Sequence, residues 1–348
     1  FEGCSSLIRL NLNNFNTTSV TNMKRLFSGC ISLISIDVSN FDTSQVTNMN
    51  SMFYKCIKLT SLNLTSFQTD RIVNMKNMFK RCLSLKSLDL SNFITSKVTN
   101  MEGIFSECVS LNELNINNFD VKSVETMAYM FSGCKLLISI IFPDFSNLKV
   151  ENISHMFYDC SSLNSLDLYN FDSSHVKCMD YMFSGCRFLT SLNINNLKTE
   201  TVTNMEYIFS DCSSLRQINL DSFNTENVVY MNGMFHGCIL LEELKISHFI
   251  TSSVEKMSFM FYHMKSIKSL NIPNFNTAKV EYMNYMFEGC NSLTYLDISH
   301  FDVSKIKNFD AMFSGCSKLL RLDISNFVTT NAITMNDMFN GCISLKSL

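Results

Sequence analysis

The chain of 348 residues is short of the features that announce most biochemical roles. It has no excess of positive charge: the formal net charge is −3, which leaves no electrostatic footprint for nucleic acid. It has no long apolar run. The stretch Leu136 to Phe142, LLISIIF, is far too short to cross a bilayer. There is no C-x-x-C pair of the kind that builds zinc sites, and no glycine loop ahead of a helix to cradle phosphate. It has no initiator Met, signal peptide or basic leader, and both ends fall inside a repeat, so we expect a mature or trimmed segment of something longer. Insertions are missing too, and that absence is the most informative.

What is present is one 26-residue unit, such as CISLISIDVSNFDTSQVTNMNSMFYK from Cys30 to Lys55, repeated about thirteen times. Steps of 26 from Cys4 to Cys342 land on Cys at every position except Met264. A Phe column runs unbroken from Phe1 to Phe339, and a second, from Phe15 to Phe327, is interrupted only by Leu197. Self-similarity at such a period marks a solenoid, in which each unit buries its apolar face against its neighbours. The composition is 46% hydrophobic and 17% charged, that of a packed chain. The register overrules the two domains suggested by length, and predicts a single solenoid domain over 1–348, apparently uncapped at both ends.

Within a coil, Ile36 and Val38 alternate with Ser35, Asp37 and Ser39, the pattern of a short half-buried strand. NFDTS follows as a polar corner. Val46, Met49, Met52, Phe53 and Cys56 then form a stripe that predicts a short helix, which Asp42, Thr43 or Ser44 could cap. Gly precedes the ladder Cys in eight of fourteen units, a plausible helix-ending position. Lys55, Arg81 and Glu107 sit there elsewhere, so a left-handed backbone is not expected to be obligatory. The fold class that follows is α/β: a right-handed solenoid with a concave parallel sheet, on the order of 65 Å long at the usual strand spacing, and short helices on the convex side. One Cys per coil reads as an inert buried column, with Cys178 outside it as the thiol to test for reactivity.

The spacing L-x-x-I-x-V-x-x-F is a variant of the leucine-rich repeat. The fuller string LDLSNFITSKVTNMEGIFSEC, Leu88 to Cys108, resembles the repeat of BspA-like leucine-rich-repeat surface proteins along the whole chain. That resemblance implies a secreted or cell-surface protein of a bacterium or protist, linked to adhesion, with no catalytic residues to carry over.

No catalytic, cofactor or metal constellation emerges, and no enzyme is expected. The six histidines occupy different columns, except that His248 and His300 share one two coils apart. The Asp column (Asp37, Asp89, Asp167, Asp297, Asp323) is interrupted by Asn63, Asn115 and Lys245, and a solvated face is the plainer reading than calcium. Two surfaces are candidates. On the concave face, Asp37, Asp89, Ser165, Asp167, Tyr169 and Asn193 suit protein or glycan contact, or form merely a soluble sheet face. On the convex face, Tyr129, Tyr181, Tyr207, Phe259 and Tyr285, in a column with His155, form an aromatic run that marks an interface or lies flat across neighbouring coils.

The coil IIFPDFSNLKVENI is irregular. Ile141 and Phe142 replace the usual residues ahead of Pro143, and Pro273 recurs in the equivalent column. Glycosylation sequons at Asn16, Asn63 and Asn152 are a weak signal in so Asn-rich a chain. Expected partners are a protein or glycan or, through open ends, a second copy head to tail. Neither nucleic acid nor membrane insertion is expected. The functional expectation is a non-enzymatic surface scaffold for adhesion, or else a structural protein that assembles end to end into filaments.

Overall fold

A computed structural model describes residues 1–348. The chain divides into two compact units, one of Phe1–Asn164 with Asn170–His175, the other of Ser165–Tyr169 with Val176–Leu348. Both are built from the same coil. Extended backbone pairs regularly in three places, always parallel. Strands β1 (Glu113–Asn115) and β2 (Ser139–Ile141) pair in the first unit; β3 (Ser165–Asp167) with β4 (Ser191–Asn193), and β5 (Ser269–Leu270) with β6 (Tyr295–Leu296), pair in the second. Partners are one repeat apart, as in Leu166 opposite Leu192. The strands are short because the polar corner arrives early: at the end of β3 the Asp167 carboxylate accepts the Tyr169 N–H at 2.9 Å and turns the chain.

The helix expected on the opposite side is not there. Between Met23 and Cys30 alternate residues do two different jobs. Met23, Arg25, Phe27 and Gly29 donate N–H to the carbonyls of Asn48, Asn50, Met52 and Tyr54 in the next coil, at 2.7–2.9 Å. Leu26, Ser28 and Cys30 donate back to Met23, Arg25 and Phe27 at 3.1–3.2 Å, closing successive three-residue turns. The reason is width. Phe rings of successive coils stack with centroids 5.4–5.9 Å apart from Phe27 to Phe157, and a helix about 10 Å across cannot repeat at that step. A chain of tight turns can, and it also buries residues at steps of three. The pattern read as a helical stripe is therefore a turn ladder.

Of these turns, Met23–Leu26 and Phe27–Cys30 hold a left-handed residue in third place, Arg25 and Gly29. Two columns supply it. One is the aromatic column, from Arg25 (φ 58°) through Tyr129 (59°) and Tyr207 (52°) to Asp337 (55°). The other precedes the ladder Cys and includes Lys55 (58°), Arg81 (64°) and Glu107 (58°) beside its glycines. The left-handed conformation there is general, contrary to the expectation from those three side chains. Neither column contains Val, Ile, Thr or Pro, the residues for which that conformation is most costly.

Several glycines in these columns are further constrained by the preceding coil, Gly233 among them. A Cβ built on Gly233 would stand 2.1 Å from Tyr207 Cε1, since the Tyr207 ring lies across the neighbouring backbone. Gly233→Ala is expected to destabilise by about 2–4 kcal/mol, from backbone strain plus overlap. In the Tyr207→Ser background the loss should fall to about 1–2 kcal/mol, the left-handed penalty alone. Thermal unfolding of the four proteins of this cycle checks it, and equal losses in both backgrounds would exclude the ring as the obstacle.

The core is a set of ladders. In the first unit Phe27, Phe53, Phe79, Phe105, Phe131 and Phe157 are wholly buried, and in the second unit the stack runs from Phe183 to Phe339. From Cys30 onward the ladder Cys packs beside it and donates its thiol to the Phe carbonyl of the preceding coil, as Cys82 Sγ does to Phe53 at 3.2 Å. The column is thus small and apolar, yet able to donate one hydrogen bond. Burial pushes the thiols of Cys82, Cys134, Cys238 and Cys290 up to about 12. Among all fourteen free cysteines, the eleven buried ones contrast with half-buried Cys178. In the native full chain a thiol reagent at mildly alkaline pH should label exposed Cys4 first and half-buried Cys178 more slowly, because burial raises that thiol as well, and spare the eleven buried cysteines, which mass spectrometry of the peptides reads directly. Labelling of the buried positions without denaturant would show that the coils open.

The corner threonines also act between coils. Thr43 is fully buried; its Oγ1 donates to the Gln68 carbonyl at 2.9 Å and accepts the Gln68 N–H at 2.7 Å. It caps no helix. Asp42 instead accepts the Ser44 N–H at 2.9 Å.

Candidate functional site: the outward faces of the strands and turns

The core ladders consume most polar groups along the coil. Asn40 Nδ2 donates to the Leu12 carbonyl at 2.9 Å. His248 and His300 take over that task, with Nε2 at 3.1 Å from the carbonyls of Leu220 and Ile272. The shared His column is therefore a stitch between coils that sequence reasoning left unassigned, although its alternation with Asn was visible. No group of three His, Cys, Asp or Glu side chains converges in a way that could hold a metal.

Side chains pointing away from the core remain. Ser165, Asp167 and Tyr169 lie on and just after β3, with Asn193 opposite Asp167 on β4. Asp167 Oδ1 accepts the Tyr169 N–H and the Asn193 amide, each at 2.9 Å, so these three are joined, with Ser165 two residues before Asp167 on the same strand. Tyr169 is 49% exposed. Asp37 and Asp89 stand on separate coils with Asn63 on the coil between, each closing its own turn onto Ser39 and Ser91. Those hydrogen bonds, with the Ser39 hydroxyl foremost at Asp37 and the Ser91 N–H foremost at Asp89, hold both carboxyls below the usual range. Both are charged at neutral pH.

Shallow depressions open on this face. One of about 390 Å³ is lined by Gln217, Asn219, Asp221, Glu243 and Lys245, and another of about 330 Å³ by Asp89, Glu113 and Ile141. Ile141 is exposed on β2, whereas Phe142 turns inward against Phe131, Phe145 and Phe157. Pro143 is buried where β2 ends.

On the turn side the aromatic column stacks along the repeat. Ring centroids lie 4.5 Å apart for Tyr129 and His155, 4.9 Å for Tyr181 and Tyr207, and 4.8 Å for Phe259 and Tyr285. Each ring covers part of its neighbour; Tyr129 is 36% exposed and the others less. Burial pushes the His155 imidazole down to about 4, so it is neutral at neutral pH. The strand side thus offers polar, outward groups; the turn side offers rings largely spent on each other.

These ladders of parallel pairs and buried Leu, Ile and Phe define a leucine-rich-repeat solenoid. The repeat is of the BspA-like type, and the chain belongs to the family described as "Mycoplasma protein of unknown function, DUF285", whose model matches residues 1–94, 81–188, 151–244 and 242–348. No curated protein matches it. Among solved structures it is similar to a leucine-rich cell surface protein from Faecalibacterium prausnitzii at 16% identity, covering 94% of this chain and 90% of that one, with a TM-score of 0.54. It also matches a leucine-rich-repeat protein from Bacteroides ovatus at 16% identity, with 100% and 85% covered and a TM-score of 0.40. A third match, from Eubacterium ventriosum, is 16% identical over 83% and 84%, with a TM-score of 0.42. The first of these supports the fold. No helix is long and apolar enough to cross a membrane.

Proposed function

We propose that this chain is a single non-enzymatic scaffold domain that acts outside the cell or at its surface, binding a protein or glycan through the outward residues of its strands in adhesion. The single domain is supported by the 26-residue register, which continues without insertion from Cys4 to Cys342. The binding reading is carried by one contrast: the coil spends its buried polar groups on stitching coils together, and leaves Asp37, Asp89, Ser165, Asp167, Tyr169 and Asn193 facing outward on the strand side. Leucine-rich-repeat solenoids are interaction scaffolds whose exposed faces vary while the ladders stay fixed.

The test is binding of the labelled full chain to epithelial cells and immobilised matrix proteins. Ser165→Arg with Asp167→Arg should weaken it about tenfold or more, as expected when the centre of an interface is disrupted, with Tyr181→Ala close to unaltered. Loss only in Tyr181→Ala would move the site to the turn side. Filaments in electron micrographs of the same sample, with no binding, would favour the end-to-end structural role instead.

A further inference from the structure

The two outward columns within the strands, those of Ser35 and Asp37, contain one aromatic side chain. From Ser35 to Ser347 and from Asp37 to Asp323 these positions hold small, polar or charged residues, with Ile141 and Tyr295 as the exceptions. Tyr295 opens β6 opposite Ser269 and is 62% exposed. Its ring borders a depression of about 330 Å³, at the small end of the range for ligand sites, shared with Ser269, Asn271, Pro273, Asp297 and His300.

The polar groups there are held in place. Asp297 Oδ1 accepts the Ser299 N–H at 3.1 Å and the Ser299 hydroxyl at 2.8 Å. His300 Nε2 lies 3.1 Å from the Ile272 carbonyl. A carbonyl only accepts, so Nε2 carries the hydrogen and Nδ1 is left as an acceptor in the neutral ring. Asn271 adds an exposed amide with both a donor and an acceptor. The site therefore combines one flat apolar ring, an oriented carboxylate, an oriented imidazole and an amide.

We infer that this depression is a carbohydrate subsite, in which the Tyr295 ring receives the C–H face of a pyranose while Asp297, Asn271 and His300 pair with its hydroxyls. A sugar ring presents that combination: an apolar face, whose C–H groups suit the negative face of an aromatic ring, and an edge of hydroxyls that both donate and accept. Other ligands fit less well. An added peptide strand would need an open sheet edge beside β5 or β6, where the preceding and following coils already lie, as the Phe235–Phe261–Phe287–Phe313 stack shows. A nucleic acid would need cations, and the fixed charge here is a carboxylate. A metal would need more ligands than one carboxylate and an imidazole already engaged. The inference rests on the strand side being the binding side, and names the ligand class for a part of it outside the Asp167 patch.

The experiment is an oligosaccharide array of neutral and acidic pyranose glycans probed with the labelled full chain, followed by calorimetric titration of the best binder. Tyr295→Ala should weaken that binder at least tenfold and Asp297→Asn severalfold, with Phe188→Ala, an exposed ring outside both strand-side patches, unaltered. Thermal midpoints equal to wild type establish that the Tyr295 and Asp297 variants are folded. Failure to bind any glycan, or binding indifferent to Tyr295→Ala, overturns the subsite. Cell binding separates the two readings. If it is abolished by the Ser165/Asp167 double variant but survives both glycosidase treatment and Tyr295→Ala, the subsite is wrong and the strand-side scaffold stands. Indifference of cell binding to every strand-side variant sinks both.

Discussion

Phe105→Ala is expected to lower the free energy of unfolding by about 3–5 kcal/mol, the range for deleting a fully buried ring where the surroundings cannot collapse. Collapse is blocked here by geometry. Phe105 stacks on Phe79 at 5.9 Å and on Phe131 at 5.8 Å, with interplanar angles of 5° and 9°. Its own amide N–H is bonded to the Met130 carbonyl at 3.0 Å, so the backbone is pinned at the step of the ladder. Neither neighbour can move in without breaking bonds of that kind. The loss should be local, because each coil touches only the adjacent ones. Urea titration gives the size, and hydrogen exchange should show protection lost first in the coils of Phe79 and Phe131. Phe188, which is 64% exposed, is the control: its replacement by Ala should shift stability by no more than about 0.5 kcal/mol. Equal effects at the two sites would mean that the Phe column does not carry the core.

Thr69→Val should cost about 2–4 kcal/mol although the side chains are nearly isosteric. Thr69 is 1% exposed; its hydroxyl donates to the Ile94 carbonyl at 3.0 Å and accepts the Ile94 N–H at 2.7 Å. Valine would orphan a buried donor and acceptor together, at about 1–3 kcal/mol each. Thr69→Ser should recover most of the loss, since it restores the hydroxyl and leaves only a methyl-sized gap. The chain itself contains an instructive exception. Val121 occupies the same column, and one coil on the Ser146 N–H is taken by Asp144 Oδ1 at 3.0 Å, so the valine does not orphan that donor. Guanidinium or urea midpoints of the two Thr69 variants decide the matter. A Thr69→Val protein as stable as wild type would show that water reaches the corner.

The strand-side reading depends on the same economy. Asn40, Asn92, His248 and His300 are exposed or part-exposed by position, yet their side-chain nitrogens lie within hydrogen-bond distance of main-chain carbonyls of the preceding coil. Those bonded nitrogens are unavailable to a ligand without loosening a coil, and on His300 only Nδ1 is left to accept. Asp167 and Asn193 are bonded to each other instead, at the surface, where a ligand's hydroxyls or amides can exchange with that bond at little cost. Polar residues of similar composition thus divide into stitches and contact groups only once their partners are known.

Much of this protein was legible before any coordinate. The Cys and Phe columns, the buried set Leu33, Ile36, Val38, Phe41, Val46, Met49 and Met52, and the outward Ser35, Asp37 and Ser39 all follow from spacing, and the structure places each as expected. Burial is a property of a position in a repeating step, and thirteen copies average out local noise. The backbone conformation of the Met-rich segment was not legible in that way. A helix and a chain of three-residue turns bury almost the same positions, so periodicity could not separate them. Two signals were nevertheless present: the column of Lys55, Arg81 and Glu107 alternates with glycine, and the aromatic column lacks every β-branched residue.

The sequence by itself determined the period, the core and which side chains face outward, because those depend only on the order of apolar and polar residues. The tertiary structure decided the rest. Turns replaced helices because neighbouring coils approach to the thickness of a Phe ring, and Thr43 became a buried stitch because its partner Gln68 lies 25 residues away in sequence but within hydrogen-bond reach. The Tyr295 depression formed because one repeat sets β5 beside β6. Contacts made between coils leave no local trace in either coil, and only stacking reveals them.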